Sequence, residues 1–248
     1  MAPTTVLITG ANRGIGAALV SLYLARPSTI VIATVREINE ANKSKLHSLN
    51  QAKGSRLILV PFNLDLPSSA ADDIFHLQDR YGVPSLDIVI ANAGICNTWS
   101  PVDKLSDNEV LIHFQVNALG LLRLFKAVLP LLQAAQQPKI AYMSTMLASI
   151  QDIPHDPSLT AAYGMSKVAG NYLIEKINAE FDDITAFPIS PGFVKTDMGN
   201  RGAKLVGLEQ ATMSVNESAS QIIDQIEKAS KTNTNGRFIN YNGETLPW

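Results

Sequence analysis

Short apolar runs alternate with longer segments of helical periodicity along most of the chain. The runs of strand length are continuous in hydrophobicity, and they cover 6–9, 30–34, 57–62, 88–91, 140–144, 185–189 and 238–241. Continuous apolar strands are typical of a parallel sheet that is covered by helices on both faces. We therefore predict an α/β fold: one domain over 1–248, with a Rossmann-type, doubly wound parallel sheet of about seven strands and helices on both faces.

Two helix starts can be placed by their capping residues. Ser106 is followed three residues later by Glu109, and Ser214 by Glu217, which is the spacing of a capping box. These pairs predict helices near 107–135 and 215–229. In a doubly wound sheet the ligand crevice lies beyond the carboxyl ends of the strands, so the polar and glycine-rich segments after each strand are the candidate functional segments.

Composition limits the kinds of partner that the protein is expected to bind and the compartment in which it is expected. The 248 residues are 46% hydrophobic and 17% charged with a formal net charge of −2, which favours neither a nucleic-acid nor a membrane partner. Cys96 is the only cysteine, so an intrachain disulfide is impossible. His113 has no second histidine or acid at ligand spacing, so we predict no metal site. The first strand begins too early for a signal segment, and a cytoplasmic location is expected.

The first strand is followed by a glycine-rich turn and a helix. Gly10, Gly14 and Gly16 allow positive φ angles and a close approach of backbone N–H groups to a pyrophosphate at the positive end of the helix. Their spacing departs from the commonest dinucleotide fingerprint, G-x-G-x-x-G. An ordinary strand-to-helix turn, with glycine used for geometry alone, is the alternative interpretation.

Tyr163 and Lys167 lie four residues apart in a segment of helical character. An i,i+4 pair points both side chains to one face of a helix. A positive charge near a phenol favours the phenolate, so Lys167 is expected to lower the pKa of Tyr163 toward the working range of a general acid/base. A surface tyrosine with an incidental lysine is the alternative.

Taken in order, these motifs resemble those of the short-chain dehydrogenase/reductase family over essentially the whole chain. The segments that carry the resemblance are 9–16, Asn92-Ala93-Gly94, Asn117, Ser144-Thr145, 163–167 and 191–196. The ending 236–248 resembles the carbonyl-reductase branch that includes the sniffer and C-factor type proteins and fungal ketoreductases of the norsolorinic acid type.

The resemblance implies catalytic roles for five residues. Tyr163 matches the general acid/base, Lys167 the lysine that also holds the nicotinamide ribose, and Asn117 the asparagine of a water-linked proton relay. Thr145 stands where the family usually has its substrate-binding serine, so either Thr145 or neighbouring Ser144 would hold the carbonyl. The 18 residues from Thr145 to Tyr163 exceed the usual spacing, and the insertion 150–157 is expected at the substrate mouth.

The expected cofactor is NADPH or NADP. No acid that would favour a free ribose hydroxyl occupies Thr34 or Val35, whereas Arg36 can face a 2′-phosphate and Arg13 adds a second guanidinium. Both arginines could instead be solvated surface charges, and Asn63 and Asp65 could equally cap a turn. The implied cofactor contacts are Gly10, Asn12, Arg13, Gly14, Ile15, Gly16, Arg36, Asn63, Asp65, Asn92, Ala93, Gly94, Tyr163, Lys167, Pro191, Gly192, Val194 and Thr196.

The sequence thus predicts a reductase that transfers hydride to a ketone or aldehyde, with a cofactor-binding half at about 1–135 and catalytic and substrate elements at about 136–248. Trp99, Phe193 and Met198 suggest an apolar or aromatic small-molecule substrate, and polyketide-type secondary metabolism is compatible with the resemblance. The apolar stretch 119–132 suits a homodimer or homotetramer, although related carbonyl reductases can be monomers. An NAD-linked alcohol dehydrogenase and a non-catalytic dinucleotide sensor are the alternatives.

Overall fold

The computed structural model describes residues 2–65, 74 and 76–248, and one continuous sheet runs through its centre. The strands are β1 (Thr4–Thr9), β2 (Thr29–Val35), β3 (Arg56–Pro61), β4 (Ile88–Ala91), β5 (Lys139–Met143), β6 (Thr185–Ser190), β7 (Phe238–Asn240) and β8 (Thr245–Leu246). Their spatial order is β3-β2-β1-β4-β5-β6-β7-β8. All pairs are parallel except β7 with β8, which is antiparallel.

The direction of winding reverses at β1, and this reversal fixes the position of the crevice. Val6 of β1 is in register with Val31 of β2 on one side and with Ile88 of β4 on the other. The chain therefore leaves β1 toward one edge of the sheet and returns at β4 toward the other. Ligands of doubly wound sheets bind beyond the carboxyl ends of the strands at such a switch point.

Helices cover both faces of this sheet. They are α1 (Gly14–Leu24), α2 (Glu40–His47), α3 (Leu77–Tyr81), α4 (Asp107–Phe114), α5 (Gly120–Gln133), α6 (Ala161–Glu180), α7 (Asp197–Leu205), α8 (Val215–Lys228) and α9 (Lys231–Thr234). One core cluster packs α5 and α6 on the sheet, with Leu124, Phe125 and Ile174 fully or nearly fully buried. The other packs α1 and α8 on the opposite face through residues such as Leu19 and Ile222.

A long apolar helix crosses the first of these faces. Helices α4 and α5 are joined through a π-helical segment, Gln115–Leu119, into one continuous helix over Asp107–Gln133. By length and composition alone this helix could span a membrane, but 61% of its apolar stretch is buried inside the protein. Its apolar face packs on the sheet, as in the core helix of a soluble protein.

The seven strands predicted from apolar runs are all present, in a doubly wound parallel sheet, so the predicted fold class is confirmed. Each central strand is buried along nearly its whole length, which explains the continuous hydrophobicity. The predicted helices at 107–135 and 215–229 end at Gln133 and Lys228. The eighth strand was not predicted, because a strand of two residues, Thr245 and Leu246, is too short to show a hydrophobic pattern.

A partly buried carboxylate in α6 makes fold stability depend on pH. One oxygen of Glu175 has no hydrogen-bond partner among the described residues. Burial raises the pKa of Glu175 to about 7, against the opposing effects of the Gly236 backbone N–H and of Lys231. The folded pKa thus exceeds the ordinary unfolded value of about 4.3, so ionising Glu175 destabilises the fold as pH rises between these two values.

We therefore expect Glu175→Gln to raise the Tm at about pH 8 and to change it much less at about pH 5, because only the higher pH forces a charge into this position. Thermal unfolding at both pH values measures the effect. Glu180→Gln is the control, since Glu180 is exposed and paired with Lys176 at 2.9 Å. An equal shift of Tm at both pH values would contradict the assignment.

Candidate active site

The glycine turn after β1 forms a cradle of backbone N–H groups. Gly10 and Gly14 have φ angles of +65° and +52°, which favour glycine. A Cβ on Gly16 would lie 2.3 Å from the carbonyl oxygen of Gly10, so glycine is required there as well. The residue before α1, Arg13, makes no side-chain capping hydrogen bond. The first N–H groups of α1 are therefore available to an anion.

A cleft of about 350 Å³ opens beside this turn. It is lined by Arg13, Gly14, Lys45, Lys195, Thr196, Asp197, Asn200 and Val215. Three of these side chains are cationic, and Arg13 is only loosely paired with Asp197, at 3.6 Å. Arg36, directly after β2, is exposed. The cleft fits the phosphate groups of a dinucleotide: it offers uncapped N–H groups and cations side by side.

The segment after β4 is fastened to the end of β1. The side-chain amide of Asn92 donates to the carbonyl oxygen of Thr9 at 2.8 Å, and the backbone N–H of Ala93 donates to the Thr9 hydroxyl at 2.9 Å. A Cβ on Gly94 would lie 3.0 Å from Asn117 Oδ1 and 3.2 Å from Lys167 Nζ. The structure thus shows Asn92 supporting the glycine turn and Gly94 packing tightly against two predicted catalytic side chains.

Other predicted cofactor residues have local structural partners. The backbone N–H of Asp65 donates to Asn63 Oδ1 at 3.1 Å, which is the turn cap considered from sequence. Asn12 donates to Asn42 at 3.2 Å. Thr196 accepts from the backbone N–H of Gly199 at 3.0 Å and so caps α7 at the edge of the cleft.

Asn117 lies in the π-helical segment and connects three elements. Its Oδ1 accepts from the backbone N–H of Ile95 at 2.9 Å, and its Nδ2 donates both to the carbonyl oxygen of Ile95 and to Ser166 Oγ, each at 2.9 Å. Ser166 in turn donates to the carbonyl oxygen of Tyr163 at 2.7 Å. The Asn117 side chain therefore positions the segment after β4 against the catalytic helix α6. Its backbone oxygen accepts from Tyr142 at 3.1 Å.

Ser144 and Thr145 have different surroundings. The Ser144 hydroxyl is buried and donates to Asn171 Oδ1 at 2.6 Å. Thr145 is only partly buried, and its hydroxyl accepts from the backbone N–H of Leu147 at 3.3 Å. The Thr145 hydroxyl also acts on Tyr163, where it lowers the pKa of the phenol. Thr145 is therefore the better placed of the two to meet a substrate carbonyl beside that phenol.

The structure brings Tyr163 and Lys167 together on one face of α6, with Lys167 Nζ 5.8 Å from the centroid of the Tyr163 ring. The ammonium lies 4.6 Å from the Tyr142 ring centroid and donates to the carbonyl oxygen of Met143 at 2.6 Å. Both members of the pair are buried. This arrangement places a proton donor and a cation at the carboxyl end of β5.

The expectation that Lys167 lowers the pKa of Tyr163 toward the working range of a general acid/base is wrong. Burial raises the pKa of Tyr163, and nearby Cys96 adds to this effect, while Thr145 acts in the opposite direction. Burial also lowers the pKa of Lys167 to about 7, so the ammonium is not a full charge at neutral pH. Desolvation is the largest cause of the pKa shift in both groups.

Sequence reasoning missed the hydrogen-bond partners of two side chains that hold this geometry, Asn171 and His113. Asn171 lies four residues beyond Lys167, on the same face of α6, and this i,i+4 spacing is a signal that could have identified it as the partner of Ser144. His113 is buried, as expected of a packed residue. Its Nε2 accepts from the backbone N–H of Asn97 at 3.1 Å and its Nδ1 bonds the carbonyl oxygen of Glu109 at 2.6 Å. His113 thus fixes the loop that carries Cys96 and Trp99.

The model of the short chain dehydrogenase family matches residues 4–204. The chain belongs to this family.

Relatives of known activity cover nearly the full chain. The norsolorinic acid ketoreductase of Aspergillus parasiticus is 38% identical over an alignment of 249 positions, which covers 99% of this chain and 91% of that protein. Two solved structures have the same fold. The NADPH-bound carbonyl reductase from chicken fatty liver has a TM-score of 0.87 and 28% identity, covering 100% of this chain and 95% of that one. The carbonyl reductase Sniffer of Drosophila melanogaster has a TM-score of 0.83 and 28% identity, covering 99% and 100%.

Substitutions can distinguish the roles of the adjacent hydroxyls of Ser144 and Thr145. We expect Thr145→Ala to lower kcat/KM by roughly a hundredfold with little change in Tm, and Thr145→Ser to restore most of it, because the hydroxyl polarises the substrate carbonyl. Ser144→Ala should instead lower the free energy of unfolding by about 1–3 kcal/mol, because Asn171 Oδ1 is left buried without a donor. Steady-state kinetics measures kcat/KM, and thermal unfolding measures stability, for the variants at both positions. Loss of activity in Ser144→Ala at unchanged stability would reverse the assignment.

Proposed function

We propose that this short-chain dehydrogenase is an NADPH-dependent reductase of ketones or aldehydes. The observation that carries the proposal is the buried Tyr163 and Lys167 pair, with Thr145 beside the phenol, at the carboxyl edge of the sheet. This edge also holds the glycine turn and the cationic cleft. The relatives named as ketoreductases and carbonyl reductases support the same activity.

The glycine turn at 10–16 and the cations of the cleft would hold the phosphates of the cofactor. Arg36 and Arg13 favour a 2′-phosphate, and no carboxylate occupies the last two positions of β2, Thr34 and Val35. NADPH supplies the hydride that reduces the carbonyl carbon. The alternative of an NAD-linked alcohol dehydrogenase has no acidic residue at this position to support it.

The proton that completes the reduction comes from Tyr163. Its phenol is held in the protonated form by burial at neutral pH, so it can donate to an oxygen on which negative charge develops. Thr145 donates a hydrogen bond to the same oxygen and orients the carbonyl. Lys167 is placed to stabilise the phenolate left after donation, since the gain of negative charge at Tyr163 raises the proton affinity of the nearby amine.

The substrate pocket is expected to be apolar. Large apolar side chains are exposed on the segments that border the site at this edge, and they include Met146, Ile150, Ile153, Leu159, Phe193, Leu205, Val206 and Leu208. Apolar side chains grouped in this way are typical of a ligand site. An aromatic ketone of polyketide type fits this surface. The insertion 150–157 contributes two of these residues and is fastened to the chain end, because Gln151 N–H donates to the Trp248 carbonyl oxygen at 2.8 Å.

A non-catalytic dinucleotide sensor would need the glycine turn but not a buried phenol and amine at the same edge. The retained pair therefore favours the enzyme. A homodimer or homotetramer through the apolar stretch 119–132 stays a prediction; within this stretch Leu119 is exposed. So does a cytoplasmic location.

Tyr163→Phe tests the proposed proton donor. We expect NADPH oxidation on aromatic ketones to fall by about 10³-fold or more, while NADPH affinity changes little, because the ring remains and only the hydroxyl is lost. Absorbance at 340 nm measures turnover, and titration of cofactor fluorescence measures affinity. Tyr172→Phe on the exposed face of the same helix is the matched control. Turnover of Tyr163→Phe at the rate of the unmodified protein would remove this phenol from the reaction.

Arg36→Ala tests the choice of cofactor. We expect the KM for NADPH to rise roughly tenfold or more and the KM for NADH to stay within about twofold, because only NADPH carries the phosphate that this guanidinium pairs with. Lys53→Ala is the control, since Lys53 is an exposed cation at the opposite, amino-terminal edge of the sheet. If both KM values rose together, or if the unmodified protein preferred NADH, the role of Arg36 would be wrong.

A further inference from the structure

Arg201 is a cation on the substrate side of the site. The proposed reaction assigns it no role. It lies in α7, and its guanidinium carbon is 5.8 Å from the centroid of the Trp99 ring. The next residue of the helix, Gly202, faces Phe193, because a Cβ built there would lie 3.9 Å from that ring. This part of α7 is therefore bordered by two aromatic side chains, Trp99 from the loop after β4 beside Arg201 and Phe193 from the loop after β6 beside Gly202.

The guanidinium of Arg201 has no carboxylate partner among the described residues. Asp197 precedes it by four residues on the same helix, a spacing that permits an ion pair. Asp197 instead lies 3.6 Å from Arg13, on the cofactor side of α7. The contact with Trp99 uses only the flat face of the guanidinium. The N–H groups at the edge of the guanidinium therefore stay available for hydrogen bonds.

The loop after β4 connects the reacting groups with Arg201. A Cβ on Gly94 would lie 3.2 Å from Lys167 Nζ, Cys96 lies two residues further along the chain, and Trp99 contacts Arg201. The Cys96 thiol is only 4% exposed, and burial raises its pKa to about 12, against the opposing charges of Arg201 and Lys167. Lys167, Cys96 and Arg201 thus follow one another from the buried end of the site outward. A substrate with its carbonyl at Tyr163 would extend along this line to Arg201.

We propose that Arg201 and Trp99 select an acidic aromatic carbonyl compound, whose ring packs against Trp99 and whose carboxylate or ionised phenol pairs with Arg201. The inference rests on the proposed reductase function and names the substrate class of that site. A planar guanidinium already held by an aromatic ring is suited to a carboxylate or phenolate, because its paired N–H donors match the oxygen geometry. The exposed apolar residues around the mouth would cover the rest of the molecule.

Two ketones that differ in charge and by a single methyl group test the inference. 4-Acetylbenzoate and its methyl ester present the same acetophenone to Tyr163, but only the acid carries a carboxylate. The protein is assayed with saturating NADPH on both, together with Arg201→Gln and Arg201→Lys. Lys204→Gln is the matched control, since Lys204 is an exposed cation of the same helix without a contact to Trp99.

We expect the unmodified protein to prefer the acid, and Arg201→Gln to lower kcat/KM for the acid at least tenfold more than for the ester, mainly through KM. Arg201→Lys should keep part of the preference because it keeps the charge without the planar fork. Lys204→Gln should leave the ratio of the two substrates unchanged.

Equal losses on acid and ester in Arg201→Gln would assign Arg201 a structural role and overturn the inference while the reductase function stands. Reduction of the ester in preference to the acid, with no change of the ratio in Arg201→Gln, would do the same. Absence of turnover on both ketones and on a wider carbonyl panel would instead overturn the proposed function itself.

Discussion

The buried amide of Asn117 is the constraint on which the geometry of the site depends. Its oxygen and nitrogen bond both backbone groups of Ile95, and the nitrogen also bonds Ser166 of the catalytic helix. π-helical turns inside α-helices are often found at functional sites, and here the turn carries the residue that joins three elements. Loss of this amide would leave buried groups unpaired on the loop and on α6 at once. The distance between the crevice loop and Tyr163 is thereby fixed by one side chain.

Burial, more than pairing, sets the pKa values of the two proposed catalytic residues. The sheet and helices remove both Tyr163 and Lys167 from water, which raises the pKa of the phenol and lowers that of the amine to about 7. Neutral forms are favoured in both cases. A protonated phenol is the form that a reductase needs at the moment a carbonyl oxygen becomes negative. Of the two adjacent hydroxyls, that of Thr145 is less enclosed than that of Ser144, which is buried and bonded to Asn171.

The sequence was sufficient for the features that repeat or have a fixed spacing. Continuous apolar runs predicted seven strands, capping boxes predicted two helix starts, and the i,i+4 spacing predicted that Tyr163 and Lys167 share a face. Contacts between distant elements could not be predicted from the sequence, because the partner of a side chain depends on how the elements pack. The hydrogen bonds of Ser144 with Asn171 and of His113 with Asn97 are examples. The pKa of Tyr163 was predicted in the wrong direction for the same reason, since spacing reveals the neighbouring charge but not the loss of water.

Asn117 and the sheet thus hold the side chains of Tyr163 and Lys167 in place, whereas loops form the surface that is proposed to contact the substrate. The most direct test of the reductase account follows the hydride itself. The protein would be incubated with NADPH deuterated at both C4 positions and a mixture of aromatic ketones, and the alcohols analysed by mass spectrometry. The account predicts alcohol products that carry one deuterium at the carbinol carbon. Tight binding of NADPH without any deuterated alcohol would contradict it.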